Sequence, residues 1–288
     1  MGAIFGPAGA CEDFYAAGHK SSLTAPDWVK ENGLGAYEYQ CGKGVKISDE
    51  SASKLGAAAK EKQIVLSIHA PYYISLASTE EEKREKSILY ILQTLKAAKM
   101  MDAKRVVVHS GSCGNITRRE AMNLAKSTLG KALRTADEEG FGDISICPET
   151  MGKINQLGSV EEVMELCSID ERLIPTIDFG HVNARSCGGL KTRENFEHIF
   201  DVMENKLGRY RSERFHAHYS RIEYTNCGEK KHHRFDETEY EPEFEPIADI
   251  IAERGLSPII ICESRGSQTR DAVKMQEIYR RARDDFKA

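Results

Sequence analysis

The stretch IVLSIHAPYY, residues 64–73, is a short apolar run that ends at a histidine and passes into a proline turn. The next apolar run of strand length, RVVVH at 105–109, lies beyond a long charged segment with helical periodicity, 79–101. A strand, a helix and a second strand in this order are typical of a βαβ unit with parallel strands. The repetition of this unit along the chain decides the fold class.

Apolar runs of strand length occur eight times in the 288 residues, at 3–6, 36–40, 64–69, 105–109, 144–149, 174–179, 215–219 and 258–263. Segments of helical character lie at 49–62, 79–101, 117–139, 159–166, 192–205, 243–254 and 269–286. Repeated strand–helix units without a linker or a compositional break predict an α/β protein. We expect a closed (β/α)₈ TIM barrel, in a single domain over 1–288. The first two runs carry the weakest signal.

Local signals mark several helix boundaries. Capping patterns predict helix starts at Ser78-Thr79, before a run of glutamates, and at Ser159, three residues before Glu162. Glycines that follow the helical segments predict helix ends at 140, 208 and 255.

Composition and charge exclude several functional classes. The net charge of -5 gives no overall attraction to a polyanion, so any nucleic-acid contact must come from a local patch. No GxGxxG or P-loop follows a predicted strand, which disfavours nucleotide binding. The eight cysteines are scattered without a CxxC pair, which indicates a reducing, cytoplasmic compartment. No apolar run approaches the ~20 residues that span a bilayer, so we expect no membrane association. The sequence indicates no protein partner.

Histidines and carboxylates stand at or just after the ends of six consecutive predicted strands. They are His69, His109, Glu149, Asp178 with His181, His216 with His218, and Glu263; His232 follows in the next loop. Because the carboxyl ends of the strands of a (β/α)₈ barrel meet at one mouth, these side chains are expected to converge. Each one alone is explained as a polar strand cap, but together they favour a metal site.

Imidazole and carboxylate ligands without paired cysteines favour Zn²⁺, with Mn²⁺ or Fe²⁺ as alternatives. Seven or eight ligands are more than one ion needs. They fit a cluster of two or three ions in which a carboxylate such as Glu149 bridges.

Five motifs in order resemble the endonuclease IV family of abasic-site endonucleases, which are zinc-dependent barrels of the xylose isomerase-like superfamily. The motifs are HAPYYISLAS at 69–78, VVVHSGS at 106–112, PETMGKINQLGS at 148–159, IDFGHVNA at 177–184 and IICESRG at 260–266. The resemblance implies that His69, His109 and Glu149 hold a first zinc. It implies that Glu149 bridges to a second zinc, held also by Asp178, Glu263 and a histidine of strand seven. His181 and His232 would belong to a third.

For strand seven, His216 and His218 have the same parity, so both can face inward. We favour His216, because HAHYSR then resembles the His-x-Asn-Asp-Ser-Lys pattern of the family, but His218 stays open. The following loop, GEKKHH at 228–233, departs from the family's Asp-x-His, because Lys230 stands in the aspartate's place. A protonated lysine cannot bind a metal. Either Glu229 takes over through a shifted backbone, or the third ion is weakly held, or Lys230 contacts the phosphate.

The resemblance implies a phosphodiester hydrolase that acts in DNA repair. It would cleave duplex DNA at abasic or damaged sites by attack of a metal-bound hydroxide on phosphorus. Glu149 or Glu263 would orient the hydroxide, and Tyr72, Lys230 and Arg265 would contact the substrate. Cations in the predicted loops of the catalytic face favour a mouth that binds phosphate. They are Lys43, Lys46, Lys153, Arg185, Lys191, Arg221, Lys230, Lys231, Arg234 and Arg265.

Two other functions fit the same residues. A sugar isomerase or epimerase of the xylose isomerase-like superfamily needs only Glu149, Asp178, His216 and Glu263 around a single divalent ion. A non-catalytic barrel that binds metal or nucleic acid would follow if Lys230 disables turnover.

Overall fold

The computed structural model describes residues 2–286. Its strands in that range are β1 (Ile4–Pro7), β2 (Ala36–Gln40), β3 (Val65–His69), β4 (Arg105–His109), β5 (Ser145–Glu149), β6 (Thr176–Asp178), β7 (His216–Tyr219), β8 (Arg221–Thr225), β9 (Gly228–His233) and β10 (Ile259–Cys262). Strands β8 and β9 form an antiparallel hairpin. The other eight strands of the described range overlap the eight apolar runs predicted from the sequence, including the two weakest.

The parallel strands form a ring in the order β1-β10-β7-β6-β5-β4-β3-β2. Its two ends meet through backbone hydrogen bonds, since Gly35 N donates to Phe5 O at 3.0 Å and Gly9 N donates to Glu38 O at 2.9 Å. The prediction of a (β/α)₈ barrel is confirmed.

Helices cover the outside of the ring. Within residues 2–286 they are α1 (Glu12–Ala16), α2 (Ala25–Glu31), α3 (Asp49–Lys62), α4 (Glu81–Met101), α5 (Arg118–Glu138), α6 (Val160–Cys167), α7 (Phe179–Arg185), α8 (Arg193–Leu207), α9 (Arg209–Glu213), α10 (Glu245–Glu253) and α11 (Gln268–Asp285). The sequence did not predict α1, α2, α7 and α9, because helices of five to seven residues are too short to show a period. No helix in the described part of the chain has the length and apolar character needed to cross a membrane.

The predicted helix boundaries hold with one exception. Ser159 and Glu162 form a complete capping box at the start of α6. The start predicted at Ser78-Thr79 is wrong, because α4 begins at Glu81 and no side chain caps it. Ser78 Oγ instead accepts a hydrogen bond from Glu80 N. The predicted glycine ends are confirmed by positive φ angles of 76° at Gly140, 75° at Gly208 and 63° at Gly255.

Alternation along each barrel strand separates two environments. In β3, Leu66 and Ile68 belong to the apolar core under the helices. Ser67 and His69, between and after them, contact carboxylates of other strands across the inside of the ring. A small apolar cluster that includes Ala36, Ile259 and Ile261 also lies inside. The polar side chains that make up the candidate site therefore project from the inner face.

Gly6 on β1 lies against the backbone of β2, where the ring closes. A Cβ atom at position 6 would lie 1.8 Å from the carbonyl oxygen of Ala36. We expect Gly6→Ala to lower the free energy of unfolding by about 3 kcal/mol, because the two strands would have to separate. Urea unfolding measures this. Gly130→Ala in α5 is the control, since its Cβ would meet no atom closer than 3.7 Å; equal stability of the two variants would contradict the prediction.

Candidate metal centre

Donor side chains converge at the carboxyl ends of the barrel strands. Three groups of the described residues cover this mouth: His69, His109 and Glu149; Glu149, Asp178, His218 and Glu263; and His181, Glu229 and His232. A further set, His69, His218 and Glu263, combines members of the first two. In each group, one donor atom from every residue lies within 4.8 Å of the others. The first two groups share Glu149, so they adjoin.

The first group joins β3, β4 and β5. The Nε2 atoms of His69 and His109 each lie 3.2 Å from Oε2 of Glu149. The Nδ1–H of His69 donates to the carbonyl oxygen of Ala70 at 2.8 Å. In the neutral ring this leaves the lone pair on Nε2, the nitrogen that faces the group.

The second group uses the other oxygen of Glu149. Oε1 of Glu149 lies 2.9 Å from Nδ1 of His218, and Oε1 of Glu263 lies 3.6 Å from the same nitrogen. Glu149 therefore presents one oxygen to each group, the geometry of a bridging ligand.

Asp178 closes the second group and starts α7. Its Oδ1 accepts a hydrogen bond from His181 N at 2.7 Å, which caps the helix. This cap holds His181 at the mouth one turn beyond β6. Oδ2 of Asp178 is buried and has no hydrogen-bond partner among the described residues. A buried carboxylate oxygen is costly to leave unpaired, so this atom fits a metal ligand.

The third group depends on the β8–β9 hairpin. Glu229 Oε2 lies 3.5 Å from His181 Nε2, and Glu229 Oε1 lies 3.7 Å from His232 Nε2. Three positions apart, Glu229 and His232 would face opposite sides of a regular strand. The register shifts between Glu223 and Tyr224, which leaves Lys230 as the extra residue of a bulge. The bulge turns Glu229 and His232 to the same side.

The same bulge directs the side chain of Lys230 away from the donor groups. Its Nζ lies 2.5 Å from Oε1 of Glu223 on the partner strand, and it does not line the two mouth cavities of the described structure. Among the three alternatives for this loop, the structure therefore places Glu229, through a shifted backbone, beside the two histidines.

The two histidines of β7 occupy different layers. His218 contacts Glu149 and Glu263 at the mouth, whereas His216 is one layer deeper, with its Nε2 2.9 Å from Oε2 of Glu38. The structure thus brings His218, and not the favoured His216, to the shared carboxylate. Sequence reasoning did not single out Glu38. The only indication of Glu38 in the sequence is its position in the strand AYEYQ, where it shares one face with Ala36 and Gln40.

Burial and neighbouring charges shift the pKa values of these side chains in opposite directions. Burial raises the pKa of Glu149, but His218, His109 and His69 outweigh burial and hold the pKa well below its usual range. Burial lowers the pKa of His69, yet Glu149 raises it to about 9. Burial raises the pKa of Asp178 despite the nearby His181. Without a cation, protons on the imidazoles balance the carboxylates.

Metal binding must displace those protons, which gives a prediction about pH. The pKa of His69 is raised from 6.5 to about 9. The ion pair between protonated His69 and Glu149 therefore stabilises the metal-free fold fully below pH 6.5, and this stabilisation is lost as the pH rises toward 9. Zinc affinity should rise over the same interval, by about tenfold per pH unit for each proton displaced. The difference in Tm between zinc-loaded and chelated protein should therefore grow from pH 6.5 upward. A difference that is constant or shrinks would contradict this.

Two adjoining cavities open over the donor groups. One of about 440 Å³ is lined by Lys231 and Arg265, and one of about 340 Å³ by Lys153 and Tyr72. Gln40, His232 and Glu263 line both. Within residues 2–286, the side chains of Lys153, Lys231 and Arg265 form no ion pair, so their charge is free to face a ligand.

Other cations expected at this face stabilise the fold instead. Arg221 is buried and pairs with Glu243 at 2.6 Å. Arg185 donates to the carbonyl oxygens of Lys153 and Gln156 at 2.9 and 3.1 Å. The structure therefore removes Arg221 and Arg185 from the predicted basic surface.

The fold agrees with comparisons to known proteins. A family model described as a xylose isomerase-like TIM barrel matches residues 26–284. The chain belongs to this family. Uncharacterized protein MJ0133 of Methanocaldococcus jannaschii is 32% identical over 276 residues, 96% of each chain. Probable endonuclease 4 of Mycoplasmoides gallisepticum is 31% identical over 142 residues, 47% of this chain and 45% of that protein. The predicted resemblance is confirmed.

Solved structures with a similar fold include both enzyme types considered from the sequence. A D-tagatose 3-epimerase-like protein has a TM-score of 0.71 and 22% identity, with 98% of both chains covered. Endonuclease IV from Thermus thermophilus has a TM-score of 0.70 and 18% identity, with 98% of this chain and 99% of that chain covered. At these identities the likeness shows the shared fold alone, so the reaction has to be argued from the site.

Proposed function

We propose that this xylose isomerase-like barrel is a metal-dependent phosphodiester hydrolase that cleaves DNA at abasic or otherwise damaged positions. One observation carries the proposal: the donor side chains of the mouth form three groups, of which two share Glu149. Carbonyl chemistry on one ion needs only four ligands. The similarity to Probable endonuclease 4 supports the same conclusion.

The donor set fits zinc, because it combines imidazole nitrogens with carboxylate oxygens and contains no cysteine. Oδ2 of Asp178, which accepts no hydrogen bond from the described residues and lies 3.4 Å from Nδ1 of His181, adds a buried oxygen that could bind an ion. Two or three divalent ions bound here would supply a nucleophile from water near neutral pH and offset negative charge on a phosphoryl group.

The carboxylates have separate parts in this proposal. Glu149 is buried beside the imidazoles of His69, His109 and His218, so it organises the donor groups. Glu263 is the partly exposed member of its group and lines both cavities. It is therefore placed to orient a water molecule in the mouth and to accept its proton.

Other residues of the mouth suit a DNA substrate. Tyr72 lines the smaller cavity and is 55% exposed, so its ring projects from the rim. An exposed aromatic ring can enter a duplex where a missing base lowers the cost of unstacking. Lys153 on one side and Lys231 with Arg265 on the other can bind backbone phosphates.

Two measurements on one preparation test the proposal. Protein purified without chelators is analysed for zinc, manganese and iron, and is then incubated with a duplex oligonucleotide that carries one abasic site. We expect two or three ions per chain and strand cleavage at the abasic position, with an intact duplex of the same sequence as the control. Metal-loaded protein that leaves the abasic duplex uncut would overturn the proposal.

A sugar epimerase is the second candidate, and one observation favours it. Glu149, Asp178, His218 and Glu263 form a complete set of four ligands without the other groups. One ion per chain, together with interconversion of ketohexoses and no cleavage of DNA, would establish this function in place of the first.

A further inference from the structure

We propose that Glu38 is a positioning residue that orients His218 toward the second donor group and strengthens metal binding there. The inference rests on the metal-dependent function proposed above. It assigns a role to a buried layer beneath the mouth, formed by Glu38, His216 and Ser67.

Glu38 lies inside the barrel, and its side chain is fully buried. In the ring, β2 is separated from β7 by β1 and β10. Contacts between Glu38 and the histidines of β7 therefore cross the barrel interior. Oε2 of Glu38 accepts from Nε2 of His216 at 2.9 Å, and Oε1 lies 3.0 Å from Nε2 of His218.

The surroundings of Glu38 are those of a hydrogen-bonded carboxylate and not of a further metal ligand. Oε2 also accepts from Ser67 Oγ at 2.9 Å, and Oε1 accepts from Gln40 Nε2 at 3.0 Å. Each oxygen thus faces two donor atoms, although the His218 contact is close without being well aligned. Three aligned hydrogen bonds and the Nε2 of His218 thus occupy the acceptor sites of Glu38, although Glu38, His216 and His218 also have donor atoms within 4.8 Å of one another.

His218 differs from the other mouth histidines in its outer partner. His69 donates to Ala70 O at 2.8 Å, His181 donates to Thr150 O at 2.9 Å, and His232 Nδ1 lies 2.8 Å from Ser220 Oγ. These hydrogen-bond partners are neutral, although His181 Nδ1 also lies 3.4 Å from Oδ2 of Asp178, whereas the partner of His218 Nε2 is the carboxylate of Glu38 at 3.0 Å. A carboxylate beside one ring nitrogen keeps the proton there, holds the ring in place and makes the other nitrogen a stronger ligand. For His218 that other nitrogen is Nδ1, which faces Glu149.

His216 has a supporting part in this arrangement. Its Nε2–H donates to Glu38, while its Nδ1 has no hydrogen-bond partner among the described residues. His216 therefore helps Ser67 to fix the Glu38 carboxylate, and it does not contact the donor groups of the mouth. The two histidines of β7 share parity but act in successive layers.

Glu38→Gln tests the proposal by zinc affinity, measured without DNA by competition with a chromophoric chelator. We expect one of the bound ions to be held about 10- to 100-fold more weakly. In cobalt-substituted protein, the visible absorption bands of that site should change. Asp271→Asn is the matched control, because Asp271 is also fully buried but bonds to Ser267 and Phe235 N, away from the donor groups.

Glu38→Gln protein with wild-type zinc affinity and cobalt spectrum would overturn the inference, as would equal losses in Asp271→Asn. If Glu38→Gln does not fold, His216→Leu and His216→Gln replace it. Leucine removes the hydrogen bond to Glu38 and should weaken one ion severalfold, whereas glutamine keeps a donor and should restore affinity. Equal zinc affinity in these two variants would also overturn it. Absence of DNA cleavage by the wild-type protein would count against the proposed function alone, since zinc affinity is read without substrate.

Discussion

Glu149→Gln is expected to lower cleavage of an abasic duplex at least about 10³-fold, since several kcal/mol of metal-dependent stabilisation would be lost. The two oxygens of Glu149 serve different groups, because Oε2 faces His69 and His109 while Oε1 faces His218. A glutamine offers one neutral oxygen, and its NH₂ group would face imidazole nitrogens. We therefore expect the same variant to lose metal from both adjoining groups.

Elemental analysis and a single-turnover cleavage assay measure the two effects in one preparation. Glu165→Gln is the control, since Glu165 lies on α6 and pairs with Lys126 of α5, away from the donor groups. Circular dichroism shows whether each variant is folded. A folded Glu149→Gln protein that keeps its metal and its activity would remove Glu149 from the centre of the site.

The double variant His69→Ala/His109→Ala is expected to lose one ion per chain and about 10²- to 10³-fold of DNA cleavage, because the first group would keep only Glu149. The second group of four ligands would remain. This variant separates the two candidate functions. An epimerase that uses one ion in the second group should keep its metal and its activity.

His19→Ala/His198→Ala is the matched control, since neither histidine belongs to a donor group. His19 bonds to Thr24 and stacks on Phe14, and His198 is exposed on α8. We expect wild-type metal content in this control. Wild-type cleavage and metal content in the His69/His109 variant would show that the first group neither holds an ion nor takes part in hydrolysis.

Much of the fold was predictable because it depends on local periodicity. Eight apolar runs and seven helical segments marked the barrel, and all correspond to observed elements of the described residues. The short helix α7 was not predicted, although the Asp178-x-x-His181 spacing that creates it was recognised as a ligand pattern. The residue that caps a short helix and the residue that binds a metal are of the same type, so sequence alone does not separate the two roles.

The candidate site was less predictable where distant strands meet. The choice between His216 and His218 depends on their depth inside the barrel. Their positions, two residues apart, predict only that both face the same side of the strand. Glu229 reaches the third group through a bulge at Lys230, which regular strand spacing does not indicate. The predicted basic surface was also too large, because Arg221 and Arg185 bind carboxylates or carbonyl oxygens inside the fold.

By itself, the sequence determined the order of strands and helices, the family, and most of the imidazole and carboxylate residues that reach the barrel mouth. These follow from spacing along one strand or helix, which neighbouring residues specify. The tertiary structure alone decided that one oxygen of Glu149 faces each adjoining group, that His218 lies above His216, and that Glu38 of β2 meets the histidines of β7. Such contacts depend on how the staggered strands close into a ring, because closure brings together residues that are far apart in the chain.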